Sequence, residues 1–131
     1  MSVPARVAML GVLLAAAAAI GLHWPLRSSA LNGLALFLAL TACVYLGALL
    51  AAGPSGRKIA ASEGLVGGSV FLCAFLGLTV SPVWIAIGYW AHGVWDWLHI
   101  DGRFGVRVAG WFPPLCAGFD FAVGGYTLVI L

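Results

Sequence analysis

The chain has 131 residues, of which 63% are hydrophobic and 8% are charged, and its formal net charge is +2. A soluble domain carries charge on about a quarter of its residues, so this composition excludes a soluble globular domain. The small net charge, with no basic run and no phosphate-binding glycine loop in the sequence, also excludes a nucleic-acid partner.

Apolar runs of about 20 residues, the length of a transmembrane helix, recur along the chain. We therefore predict an all-α integral membrane bundle that forms a single domain over residues 1–131. The predicted helices cover residues 4–24, 30–52, 60–80, 83–100 and 113–131. The first run also resembles a secretory signal, with one Arg and small residues near its end, but we interpret it as a span.

The boundary at Ser81-Pro82 has two interpretations, because proline there either turns the chain or kinks one long helix. Basic residues favour cytoplasmic loops, and this preference decides between the two interpretations. With five spans and a cytoplasmic N-terminus, only Arg27 faces outside, whereas four spans would divide the six basic residues equally. The residues on the cytoplasmic side are then Arg6, Arg57, Lys58, Arg103 and Arg107. We predict five spans in a bacterial inner membrane, with the C-terminus outside.

This topology gathers the ionisable side chains of three helices into one layer. At 1.5 Å per residue, Glu63, Asp96, His99 and Asp120 all fall within roughly 10 Å of the cytoplasmic boundary, and His92 lies deeper. Side chains of this kind cost on the order of 3 kcal/mol each inside a bilayer and usually mark function. The layer is therefore the candidate functional site.

The chemistry of the layer indicates a metal. His92, Asp96 and His99 are spaced i, i+4 and i+7, which places them within about 60° of arc on one helix face. Imidazole and carboxylate groups are the usual ligands of Zn, Fe or Mn. We predict His92, Asp96, His99 and Asp120 as metal ligands, with Glu63 as a further ligand or base. Water activated by the metal would then hydrolyse an ester or amide of a lipid.

Two other functions remain open. In a metal-free enzyme, a histidine and a carboxylate would act as an acid/base pair, and Trp84, Trp95 and Trp111 would stabilise a carbocation. Such an enzyme would isomerise or cyclise isoprenoid-like lipids. In a protein without enzymatic activity, the polar groups would clamp the bundle of a small membrane subunit or serve a proton- or ion-coupled carrier.

The pattern also predicts residues around the site. The predicted pocket for a hydrophobic substrate comprises Trp95, Trp84, Trp111, Gly67 and Cys116. Arg103 and Arg107 border the layer and are predicted to bind lipid headgroup phosphates. Gly64 and Gly68 have the small-xxx-small spacing of helix contacts, so a homodimer through this face is a further possibility.

The segments "AHGVWDWLH" and "WFPPLCAGFD" resemble those of a family of small bacterial polytopic membrane proteins without an assigned activity. The resemblance covers residues 88–120 and implies a membrane-embedded helical fold. The residue types are also similar to those of the alkaline ceramidase and adiponectin-receptor hydrolases, which hold zinc with three histidines and an aspartate. Only His92, His99 and one aspartate match that set here.

Overall fold

In the computed structural model, the described residues are 2–23, 27–53, 56–102 and 104–130, and they form helices joined by short segments. The five α-helices are α1 (Val3–His23), α2 (Arg27–Ala52), α3 (Arg57–Thr79), α4 (Val83–His99) and α5 (Phe112–Ile130). A short 3-10 turn, Ile100–Gly102, follows α4. The structure describes no strand in these ranges, and each α-helix begins and ends within three residues of its predicted bounds.

Four of the helices, all except α4, are long and apolar enough to cross a membrane. The fold therefore fits a multi-pass membrane protein, as the composition predicts. α4 has 17 residues, which is about 26 Å at 1.5 Å per residue. This length is slightly less than the ~30 Å hydrocarbon core of a typical bilayer.

The chain reverses direction at Ser81-Pro82. α3 ends at Thr79, and the backbone N–H groups of Val80 and Ser81 both donate to the Leu76 carbonyl, at 2.8 and 3.0 Å. Pro82 has φ −58°, the value that proline supplies at a helix start, and α4 begins immediately after it. Residues 64–91 are therefore two helices packed against each other, and the prediction of a turn at this point is confirmed.

Contacts between the helices give their relative directions. α2 and α4 run parallel, because the Tyr89 hydroxyl donates to the Leu34 carbonyl near their starts while Tyr45 contacts Asp96 near their ends. α1 and α5 also run parallel, because Gly118 packs on the Ala8 carbonyl and Tyr126 on the Ala19 carbonyl. Since α5 lies antiparallel to α4, successive helices alternate in direction through the bundle.

The buried residues of α3 and α4 each follow one helix face. On α3 they are Glu63, Gly67, Val70, Ala74 and Gly77. On α4 the buried face includes Gly88, His92, Asp96 and His99, whereas Trp90 and Trp97 are exposed. Large apolar side chains cover the outer surface of the bundle, as expected of a protein whose surrounding solvent is lipid.

Candidate functional site

The ionisable side chains meet at the end of the bundle where α2 and α4 end and where α3 and α5 begin. All five predicted catalytic residues are at most 3% exposed: Glu63, His92, Asp96, His99 and Asp120. The basic residues Arg6, Lys58 and Arg107 are exposed at the same end. The helical hairpin at Ser81-Pro82 is the reason that Glu63 reaches the residues of α4.

The deeper part of the layer is an aspartate–histidine centre made of His92, Asp96 and Asp120. His92 Nδ1 lies 2.7 Å from Asp120 Oδ2 and 3.2 Å from Asp96 Oδ2. Gly93 allows α5 to approach α4 closely here, because a Cβ at this position would lie 3.3 Å from the Asp120 Cβ. One ligand atom from each of the three residues lies within 4.8 Å of the others.

Tyr45 on α2 completes the surroundings of this centre. Its hydroxyl donates a 2.6 Å hydrogen bond to Asp96 Oδ1, and its ring lies 4.2 Å from that of His99, centroid to centroid. The sequence patterns did not predict this residue. The one indication that could have found it is its depth in the bundle. Tyr45 lies seven residues before the end of α2, and His92 lies seven residues before the end of α4.

Two polar atoms of the centre have no hydrogen-bond partner, although both are fully buried. They are His92 Nε2 and Asp96 Oδ2, among the residues that the structure describes. Asp96 Oδ2 lies 3.2 Å from His92 Nδ1, but this contact is electrostatic and is not a hydrogen bond. The hydrogen bond of Nδ1 is the one to Asp120. Buried polar groups in native proteins normally have hydrogen-bond partners, so these two atoms mark the centre as the part of the layer whose hydrogen bonding is incomplete.

The outer part of the layer is a separate group, the Glu63 clamp, made of Glu63, Trp95, His99 and the Val106 backbone N–H. Glu63 Oε2 accepts from Trp95 Nε1 at 3.0 Å. Glu63 Oε1 accepts from the Val106 N–H at 2.8 Å and lies 3.0 Å from His99 Nε2. The carboxylate thus joins α3, α4 and the segment between α4 and α5.

The hydrogen bonds of His99 specify its role in the clamp. Nδ1 lies 2.9 Å from the Trp95 carbonyl oxygen, which only accepts, so Nδ1 carries a proton. Nε2 then faces the Glu63 carboxylate, 3.0 Å from Oε1. Both ring nitrogens of His99 therefore have partners other than the aspartates of the centre.

The segment after α4 folds over the clamp through Gly105. This residue has φ +65°, and a Cβ here would collide with His99 Nε2 and Glu63 Oε1. Only glycine meets both requirements, the left-handed backbone and the missing side chain. The sequence predicts residues 101–112 to be the segment between the fourth and fifth helices. This packing was missed because the sequence does not show which side chains lie beneath the segment.

The predicted pocket residues occupy different places. Trp95 belongs to the clamp, and Gly67 packs on the Ala42 carbonyl beside it. Cys116 is half-buried, within electrostatic range of Asp96 and Asp120. Two tryptophans are not brought to the centre: Trp84 lies at the opposite end of α4, and Trp111 is 58% exposed on the surface.

The remaining predicted residues surround the layer. Arg107 is exposed, and Arg103 lies outside the described residues. Gly64 and Gly68 face outwards, with nothing within 4 Å of the point where a Cβ would lie, so their role in a dimer stays a prediction. A narrow crevice between Glu63 and His92, lined also by Tyr45 and Gly67, separates the clamp from the centre and is too tight for a water molecule.

No family model, curated protein or solved structure matches this chain. The interpretation of the site therefore depends on its own geometry. That geometry divides the layer in two: a clamp whose hydrogen bonds are complete, and a centre in which two buried polar atoms have none.

Proposed function

We propose that His92, Asp96 and Asp120 bind one divalent metal ion, Zn, Fe or Mn, and that the protein is a membrane-embedded hydrolase of a hydrophobic or lipid substrate. The observation that carries the proposal is the convergence of one ligand atom from each of these buried residues within 4.8 Å. His99, predicted as a fourth ligand, is assigned to the clamp in this proposal because both of its nitrogens have other partners.

The charge of the centre supports a bound cation. With both carboxylates ionised and the imidazole neutral, the centre would carry two negative charges, and unpaired charge is costly to bury. An imidazolium would balance only one of them. A divalent cation balances both and gives Asp96 Oδ2, which lacks a hydrogen bond, a partner.

The number of ligands supports catalysis over a purely structural role. Structural zinc sites are closed by four protein ligands, whereas catalytic sites use three and leave a position for water. A metal at this centre would supply a nucleophile for hydrolysis by activating water near neutral pH. Tyr45 would hold Asp96 in position through its hydrogen bond to Oδ1, the part that hydrogen-bond partners play around metal ligands.

We place the site near the cytoplasmic face of a bacterial inner membrane, with all five helices crossing. The support is the distribution of basic residues, because Arg6, Arg57, Lys58 and Arg107 share the end that carries the site. The alternation of helix directions is compatible with this orientation.

Elemental analysis of detergent-purified protein tests the metal. Wild-type protein and an Asp101→Asn control, which removes an exposed carboxylate outside the centre, should each contain about one metal ion per chain. Asp120→Asn should contain less than about a tenth of that, because it loses a ligand, while eluting at the same volume in size-exclusion chromatography. Equal metal in the control and in Asp120→Asn, or none in the wild type, would remove the proposal.

Hydrolysis is tested on the same preparations with a bacterial lipid extract. The wild type should release fatty acid, lose this activity with a chelator, and regain it when Zn or Mn is added. If the protein binds metal but hydrolyses no class of lipid, it is a metal-binding protein and the hydrolase proposal is refuted.

A second function is favoured by the way His92 is held. A carboxylate at 2.7 Å from Nδ1 fixes the tautomer, and Nε2 stays buried without a partner beside the crevice. This is the arrangement of a general base oriented by an aspartate, and the crevice would have to widen for a substrate to reach it. If the wild type contains no metal, this acid/base role in isomerising a hydrophobic substrate is the remaining enzymatic hypothesis.

A further inference from the structure

A surface groove of about 420 Å³ lies between the end of α2 and the segment 107–112. Its walls are apolar and small on the α2 side, where Val44, Ala48 and Ala51 line it. Val108 and Phe112 form the opposite wall. The groove opens at the end of the bundle that carries the basic residues, where a membrane would meet water.

One cation stands at the rim of this groove. Arg107 is exposed, and no described carboxylate forms a salt bridge with it. Trp111 lies beside it, also on the groove and 58% exposed, which is the usual position of tryptophan at a membrane interface. The groove is also lined by Phe112, the first residue of α5.

We propose that this groove binds an anionic phospholipid, with the headgroup phosphate at Arg107 and one acyl chain along the alanines of α2. The charge at the rim and the apolar walls below it complement the two parts of such a molecule. The guanidinium group is the side chain best suited to phosphate. A soluble phosphate ester would pair with Arg107 but would make no contact with the apolar walls of the groove.

Aromatic side chains lie between the groove and the aspartate–histidine centre. Phe112 lines the groove, and its ring contacts the ring of Tyr45 edge-on, with the centroids 6.4 Å apart. Tyr45 in turn donates to Asp96. Phe112 therefore separates a bound lipid from the centre. The inference that the bound lipid is the substrate rests on the proposed function. The inference that the groove binds lipid does not rest on it.

The test measures the binding of phosphatidylglycerol to detergent-purified protein by native mass spectrometry. Phosphatidylcholine with the same acyl chains and sn-glycerol 3-phosphate serve as the two comparison ligands. Phosphatidylglycerol should bind more tightly than phosphatidylcholine, and glycerol phosphate should not bind. Arg107→Gln should weaken phosphatidylglycerol binding about fivefold, the effect of one cation near an anionic headgroup.

Two further variants distinguish lipid binding in the groove from nonspecific attraction of anionic lipids to the basic end of the protein. Lys58→Gln removes a cation at the same end but outside the groove, and it should leave the affinity unchanged. Ala51→Phe fills the groove from an exposed position and should weaken binding of both lipids. Equal losses in Arg107→Gln and Lys58→Gln, no effect of Ala51→Phe, or binding of glycerol phosphate would each overturn the proposal. These outcomes do not depend on metal content or hydrolysis.

Discussion

The Tyr45 hydroxyl donates a 2.6 Å hydrogen bond to Asp96 Oδ1, which links α2 to α4 in the middle of a buried polar layer. It is the only hydrogen bond of the Asp96 side chain among the described residues, since Oδ2 has no partner. Tyr45 therefore fixes the orientation of a carboxylate whose other oxygen faces His92.

Tyr45→Phe should weaken metal binding about tenfold and lower the free energy of unfolding by about 1–3 kcal/mol. It leaves Asp96 Oδ1 buried without a donor, and the loss of a partner around a ligand typically costs about 10- to 100-fold in metal affinity. Metal affinity is measured by competition with a chromophoric chelator, and stability by titration with a denaturing detergent in mixed micelles. Tyr89→Phe is the control, because it removes a buried hydroxyl that donates to the Leu34 carbonyl away from the centre. It should lower stability alone, and a matching loss of metal affinity in it would contradict the role of Tyr45.

Glu63→Gln should destabilise the protein and leave its metal content intact. The carboxylate of Glu63 faces the Trp95 and Val106 N–H groups and His99, and an amide would present a donor where three donors converge. Breaking a buried pair of this kind costs about 3 kcal/mol. Unfolding in mixed micelles and elemental analysis of the same sample give both quantities. Loss of metal at unchanged stability would instead make Glu63 a ligand, as the sequence alone suggested.

Gly105→Ala should destabilise the protein by at least about 2 kcal/mol, because it adds a collision with His99 and Glu63 to a strained backbone. Gly102 provides the matched control. It has nearly the same backbone angle, φ +64°, but nothing within 4 Å of a Cβ position. Gly102→Ala should therefore show only the backbone cost, about 1 kcal/mol. Equal losses of stability in the two variants would show that the segment does not pack on the clamp.

Single cysteines test whether α4 crosses the membrane. In a background lacking Cys43, Cys73 and Cys116, Val80→Cys and Asp101→Cys mark the two ends of this helix. Asp101→Cys should react with a membrane-impermeant maleimide from the cytoplasmic side, together with a Lys58→Cys control, and Val80→Cys from the outside. Reaction of positions 80 and 101 from the same side would contradict five spans.

The sequence predicted the fold well because membrane helices are constrained by few physical requirements. Length and hydropathy placed the five helices, and the distribution of basic residues favoured the turn at Ser81-Pro82 that the structure contains. Helical spacing likewise predicted that His92, Asp96 and His99 share one face of α4, and the structure buries that face.

The division of the site into two groups could not be predicted in this way. Spacing places His92 and His99 on the same face of α4, but it does not say which neighbouring helix each one meets. That choice depends on distances between helices, such as the approach of Asp120 to His92 beside Gly93. The roles of Tyr45 and Gly105 depend on tertiary contacts that local patterns do not contain.

X-ray absorption at the metal edge of the purified protein tests the central claim most directly. We predict scattering from one imidazole nitrogen and from carboxylate oxygens, at about 2.0–2.2 Å, with no sulfur scatterer and with loss of the signal in Asp120→Asn. A spectrum without an imidazole contribution, a shell of sulfur or solvent oxygens alone, or a signal unchanged in Asp120→Asn would contradict a metal centre at His92, Asp96 and Asp120.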